Sequence, residues 1–131
     1  GSEMCIRDRL EGLEYLLISL PEVDFHVAAP TNVSDYLRSF ERFKNFQLYE
    51  YCQSREVSDR ILEMADFYLD INHWNEVDDI IGRALERGKP IFAFENVVHR
   101  KNEEIHVFSL KDEDKMVATI RHQLKVDRNG E

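Results

Sequence analysis

The 131-residue sequence predicts an α/β fold: a three-layer, five-stranded parallel sheet with helices on both faces. Short apolar runs of strand length recur five times. Amphipathic segments of helical period stand between them, and Pro21, Pro30, Ser54, Gly88 and Pro90 punctuate the joins. Strand and helix alternating at intervals of about 20 residues mark right-handed βαβ crossovers, which a parallel sheet requires.

Leu10, Leu13, Leu16, Leu17 and Leu20 recur at helical spacing up to Pro21, which predicts a helix over 10–20. The run from Asp24 to Ala29 is short, largely apolar and closed by Pro30, as in a strand buried on both faces. Thr31, Asn32 or Ser34 caps the next helix, 33–43, whose inner stripe is Val33, Leu37 and Phe40 with Tyr36. Phe46 to Tyr51 alternates like a strand near a sheet edge. Ser54 then caps a helix over 55–65 with Val57, Ile61, Leu62 and Ala65 inward, and 67–71 is the third strand.

Asn75, with Asp78 three residues on as in a capping box, opens a helix over 76–87. It turns Val77, Ile80, Ile81, Ala84 and Leu85 to one side and stops at Gly88. Pro90 heads a strand over 91–95, where its missing N–H is tolerated. A fifth strand spans 105–110, and Asp112 opens a last helix over 112–124 with Met116, Val117, Ile120 and Leu124 inward, before a tail, 125–131, expected to fray. The expected core is Leu13, Val27, Leu37, Leu48, Ile61, Leu69, Ile80, Ile81, Leu85, Phe92, Val117 and Ile120.

Composition narrows the function. With 26 acidic against 17 basic side chains the formal charge is −9, and no basic stripe interrupts it, so nucleic acid is not an expected partner. No apolar run reaches the ~18–20 residues of a membrane span, and the N-terminus lacks the pattern of a secretory signal, which makes the cytoplasm the expected compartment. Gly1-Ser2 reads as the scar of a cleaved tag, and Met4 to Arg9 resembles the translation of a transposon adapter used in sequencing libraries. One domain over 10–124 is expected, with Cys52 a lone reduced thiol.

In open parallel sheets ligands bind outside the carboxyl ends of the strands. Those ends read Ala29-Pro30-Thr31-Asn32, Glu50-Tyr51-Cys52-Gln53, Asp70 to Glu76, and Glu95-Asn96. The third is the richest: a carboxylate, two amides, an imidazole and an indole stand before a helix N-terminus, which favours an anion such as a pyrophosphate. The same residues also have a purely structural reading, with Asn75 a plain cap, Asp70 held by backbone N–H groups and Trp74 in the core. Asp70, His73 and Glu76 lack a metal-ligand spacing, so no metal is expected. His26, His99, His106 and His122 read as ordinary surface or strand histidines. No dinucleotide, P-loop or nucleophile-elbow motif is present, and no paired acids follow the first strand as a phosphoacceptor receiver would need.

A resemblance adds to these readings. F-H-V-A-A-P-T-N-V-S at 25–34, N-F-Q-L-Y at 45–49, D-F-Y-L-D-I-N-H at 66–73, N-E-V-D-D-I-I at 75–81 and G-K-P-I-F-A-F at 88–94 together resemble the C-terminal half of a GT-B glycosyltransferase. In particular they resemble proteins that glycosylate serine-rich adhesins of Gram-positive bacteria, among them the non-catalytic partner subunit of the accessory-Sec pair. The likeness covers about 10–124 and implies a Rossmann-like domain that binds a UDP-sugar and needs no cofactor. It implies contacts from Thr31 and Asn32 near phosphate, from Glu50 and Tyr51 near the base, and from Asn72, His73, Asn75 and Glu76 at the helix start. The partners implied are a glycosyltransferase subunit and a serine-rich acceptor.

The sequence departs from the pair of Glu residues, eight apart, that retaining GT-B enzymes carry. Arg83 stands where the second belongs and Asn75 where the first belongs, while Glu76 is one step off, about 100° around a helix. Either the domain transfers nothing alone, or His73 or Glu76 takes over the displaced role. An interaction module anchored by Trp74 is the alternative to both. The resemblance also implies a strand before Leu10, lying between those at 24–29 and 67–71. With the adapter-like hexapeptide in its place, direct closure of those two strands is expected, giving the order 46–51, 24–29, 67–71, 91–95, 105–110. Filling of the slot by residues 3–8, or a homodimer with exchanged elements, is the further expectation.

Overall fold

A computed structural model describes residues 10, 12–29, 33–52, 54–71, 79–100 and 102–129. Helix α1 (Leu13–Ser19) starts after Gly12, whose left-handed φ of 68° ends the turn from Leu10, so the expected helix over 10–20 is shorter at both ends. A Cβ at Gly12 would come within 2.8 Å of the Phe94 ring and the Glu113 carboxylate, so a closely packed backbone also fixes glycine here. Strand β1 (Phe25–Ala28) leads to Ser34, whose hydroxyl accepts from the Leu37 N–H at 3.2 Å and caps α2 (Asp35–Arg38). A 3₁₀ turn (Ser39–Arg42) continues α2, so the expected helix over 33–43 is partly the tighter form.

Strand β2 (Phe46–Tyr49) follows, then α3 (Arg55–Met64) capped by Ser54, as expected. Strand β3 (Tyr68–Asp70), α4 (Ile80–Glu86), β4 (Ile91–Phe94) and β5 (Ile105–Phe108) come next. Gly88, at φ 67°, ends α4 as expected. A 3₁₀ turn (Leu110–Asp112) leads into α5 (Glu113–Asn129), which continues beyond the expected end at 124 and into the stretch expected to fray. The expected cap at Asn75 lies outside the described residues.

The ladders among β1–β5 are parallel. Phe25 pairs with Phe46 in one ladder; Tyr68 pairs with Ile91 and Ile91 with Ile105 in the other. The orders are β1-β2 and β3-β4-β5. The expected direct closure of the first strand on the third is therefore not made: among the described residues β1 and β3 share no ladder. Phe25 and Phe67 meet edge to face across that junction, with centroids 6.3 Å apart. The expected filling by residues 3–8 lies outside the described residues.

Two clusters make the core. The larger gathers α1 (Leu13, Leu16, Leu17), Leu37 and Phe40, and α5 (Met116, Ile120) against Phe25, Phe46, Phe92 and Phe94. The smaller gathers Leu62 of α3 with Ile81 and Ala84 of α4 against Ile91, Ala93 and Ile105. Alternate residues of β4 thus face opposite helix layers, and all four are buried, as a central parallel strand requires. Strand β1 was expected to be buried on both faces, yet His26 and Ala28 are exposed; among the described residues the buried positions of α3 and α4 pack on the other ladder. Leu13, Leu37, Ile81, Phe92, Val117 and Ile120 are buried as expected. Val27, Leu48, Ile61, Leu69, Ile80 and Leu85 are only half-buried, and Val57 is exposed.

Candidate functional site

Within each ladder parallel pairing puts the carboxyl ends of the strands on one side, so side chains just beyond them share a rim. At the end of β2, Tyr51 adopts a left-handed φ of 57°, a conformation that non-glycine residues take at some cost and that clusters at functional sites. Its ring is 66% exposed. The Cys52 N–H donates to the Ala29 carbonyl at 2.8 Å, tying this turn to the end of β1. A cleft of about 450 Å³ opens here, lined by Tyr49, Glu50, Tyr51, Cys52, Ser54 and Val57. Two exposed tyrosine rings beside it suit stacking on a planar base or a sugar face.

Glu50 is engaged differently from its expected role near a base. Its Oε2 accepts from the Val33 N–H at 3.2 Å and from Arg38 Nη2 at 2.7 Å, which binds the start of α2 to the end of β2. Of the other expected contacts, Thr31, Asn32, Asn72, His73, Asn75 and Glu76 lie outside the described residues, as does Trp74.

Asp70, which ends β3, is 1% exposed. Its Oδ2 accepts from the His99 N–H at 2.8 Å, and its Oδ1 lies 2.6 Å from His99 Nδ1. The Oδ1–Nδ1 contact is a hydrogen bond whose proton position follows the His99 tautomer. His99, taken from the sequence as an ordinary histidine, is therefore the partner of the most buried carboxylate described. An acid closing an apolar strand must find a donor, and the reading of Asp70 as held by backbone N–H groups is met by the His99 N–H. Next to it, Arg100 pairs with Asp79, the residue before α4, which has a left-handed φ of 55°. The remaining described histidines behave as surface or strand residues. The His26 ring stacks on Tyr49 and reaches its hydroxyl at 2.9 Å, and His106 stacks on Phe92.

Arg83 of α4 reaches α3. It is 4% exposed and hydrogen-bonds Asp59 of α3, with Arg87 3.5 Å and Arg55 3.9 Å from the same carboxylate. The Arg83 hydrogen bond holds the Asp59 carboxyl below its ordinary value. Desolvation opposes that shift, and the charges of Arg83, Arg87 and Arg55 reinforce it. Among the described residues no three His, Cys, Asp or Glu side chains converge as metal ligands, and no helix is long and apolar enough to cross a membrane.

Residues 4–130 match the family described as GftB/GlyA-F C-terminal domain. The chain is 40% identical over 112 residues to glycosyltransferase GlyB of Streptococcus pneumoniae serotype 4 (strain ATCC BAA-334 / TIGR4), covering 86% of this chain and 28% of that protein. It is 46% identical over 94 residues to the UDP-N-acetylglucosamine–peptide N-acetylglucosaminyltransferase stabilizing protein GtfB of Streptococcus agalactiae, covering 72% of this chain and 21% of that one. The fold matches the crystal structure of glycosyltransferase GlyE of S. pneumoniae TIGR4 with a TM-score of 0.80 at 33% identity, over 88% of this chain and 29% of that one. It matches a GtfA/B complex bound to UDP and GlcNAc with a TM-score of 0.78 at 31% identity, over 89% of this chain and 26% of that one. The chain thus spans less than a third of each.

Proposed function

The chain belongs to the GftB/GlyA-F C-terminal domain family, and from that premise we propose that it is a nucleotide-sugar- or acceptor-binding C-terminal domain that transfers no sugar by itself. It belongs either to a bacterial protein glycosyltransferase or to the non-catalytic subunit that partners one, acting in the cytoplasm on a serine-rich acceptor. The observation that carries the non-transferring half is Arg83. Where the resemblance places a ribose-binding Glu, this chain has a buried guanidinium committed to Asp59. A side chain so held has neither the charge nor the freedom to accept from a ribose hydroxyl.

The binding half is supported by the rim. Tyr49 and Tyr51 border the cleft at the end of β2, and the sequence places Thr31, Asn32, Asn72, His73, Asn75 and Glu76 in the connections at the same strand ends. Calorimetric titration with UDP-N-acetylglucosamine tests it. The expected result is saturable heat that Tyr51→Ala abolishes, with no release of free UDP. Turnover by the isolated domain would overturn the non-transferring half. An absence of heat, combined with retention of a glycosyltransferase subunit on the immobilised domain, would favour a protein-interaction module instead. That second reading has its own support in Tyr51 and in Met64 of α3, which is 76% exposed.

A further inference from the structure

His99 and Arg100, consecutive residues of the β4–β5 connection, attach to opposite ends of a different connection, the one between β3 and α4. His99 holds Asp70, the last residue of β3, through both its backbone N–H and its ring. Arg100 holds Asp79, the residue before α4. We propose that the pair is a two-point strap that sets where the chain enters α4, making both of them positioning residues for the rim; this rests on the reading that the rim is the working face.

Independent observations converge on Asp79. Its φ of 55° is left-handed, uncommon for a residue with a side chain although Asp adopts it more readily than most. A Cβ built on Gly82 would lie 2.6 Å from both Asp79 carboxylate oxygens, so the bare glycine leaves the space in which that carboxylate sits. An exposed Arg–Asp pair alone contributes little, because ordering two long side chains offsets most of the attraction. Arg100, however, follows a residue whose backbone and ring are already fixed by a buried carboxylate. Less freedom remains to be lost when its guanidinium pairs, and the anchor at Asp70 makes the reach to Asp79 effective. The stretch between the two attachment points, 72–78, is where the sequence places Asn72, His73, Asn75 and Glu76.

The reporter is the Arg83 amide, which donates to the Asp79 carbonyl at 2.9 Å. Its hydrogen exchange in the full chain, followed by NMR, should quicken roughly five-fold in Arg100→Ala while β4 amides keep their wild-type rates. Gly82→Ala gives a test of opposite sign. Alanine favours helix, so helix propensity alone would slow exchange in α4, whereas displacement of the Asp79 carboxylate by the new methyl should quicken it. His99→Gln, which keeps a hydrogen-bond donor for Asp70 with a different reach, should give an effect at least as large as Arg100→Ala. An Arg83 exchange rate unchanged in Arg100→Ala, or slowed in Gly82→Ala, overturns the strap. Uridine diphosphate titration separates the two claims. Exchange that responds as expected in a chain that binds no UDP supports the strap and removes the reading of the rim, while UDP binding with unresponsive exchange does the reverse.

Discussion

The two ladders bury themselves to different depths. In β4 every residue is hidden, Ile91 and Ala93 toward α3 and α4, Phe92 and Phe94 toward α1 and α5. In β1 and β2 burial alternates, and His26, Gln47 and Tyr49 are exposed on one face. The strands look alike in composition; the helices make the difference. Among the described residues, α1, α2 and α5 supply a layer that reaches both ladders, whereas the buried positions of α3 and α4 meet β3, β4 and β5. A short apolar run is therefore a sound sign of a strand and a poor sign of how many faces it hides.

Substitutions in the two ladders should separate them. Phe92→Ala, at the centre of the buried ladder, should cost about 3–5 kcal/mol in urea denaturation, while Val27→Ala, half-buried in β1, should cost roughly 1 kcal/mol. Equal losses would break the comparison. Asn45→Ala should fall between them, at about 1–3 kcal/mol. The Asn45 amide donates to the Leu17 and Leu20 carbonyls at 3.1 Å each, joining the end of α1 to the start of β2 from a buried position. Ser54→Ala removes the hydroxyl that accepts from the Val57 N–H and should cost about 1 kcal/mol, since cap losses cluster there.

The smallest effect expected is a pH dependence confined to the α3–α4 side. Because Asp59 titrates below its ordinary value when folded, its contribution is fully present above the ordinary carboxylate range and is lost as pH falls through the lowered folded value. Asp59→Asn should therefore flatten part of the acid limb of a stability-against-pH curve and leave the curve above pH ~6 unchanged in shape. Flattening near neutrality would contradict the assignment.

Much of the architecture was legible in the sequence because caps and breakers act locally. Ser34, Ser54 and Gly88 do what their chemistry dictates wherever the chain goes. What failed was non-local. Gly12 cuts the first helix short because Phe94 and Glu113, far along the chain, leave no space for a side chain. The expected closure of β1 on β3 is not made among the described residues, and nothing local to either strand signals that. At the rim, residue type drew attention to Glu50 and passed over His99. The Glu50 carboxylate is engaged by Val33 and Arg38, whereas His99 gains its role only by coming back to Asp70 from another connection. The bond of Arg83 to Asp59 was not readable, because it needs two helices brought side by side.

The central claim is that this family member binds at the rim and does not itself transfer a sugar. The most direct measurement follows labelled N-acetylglucosamine from its UDP donor onto a serine-rich peptide, with the domain alone and with a glycosyltransferase subunit added. The account predicts no labelled peptide from the domain alone, and labelling above the subunit's own background when the two are combined. Labelled peptide from the domain alone, lost on Glu76→Ala, would contradict it.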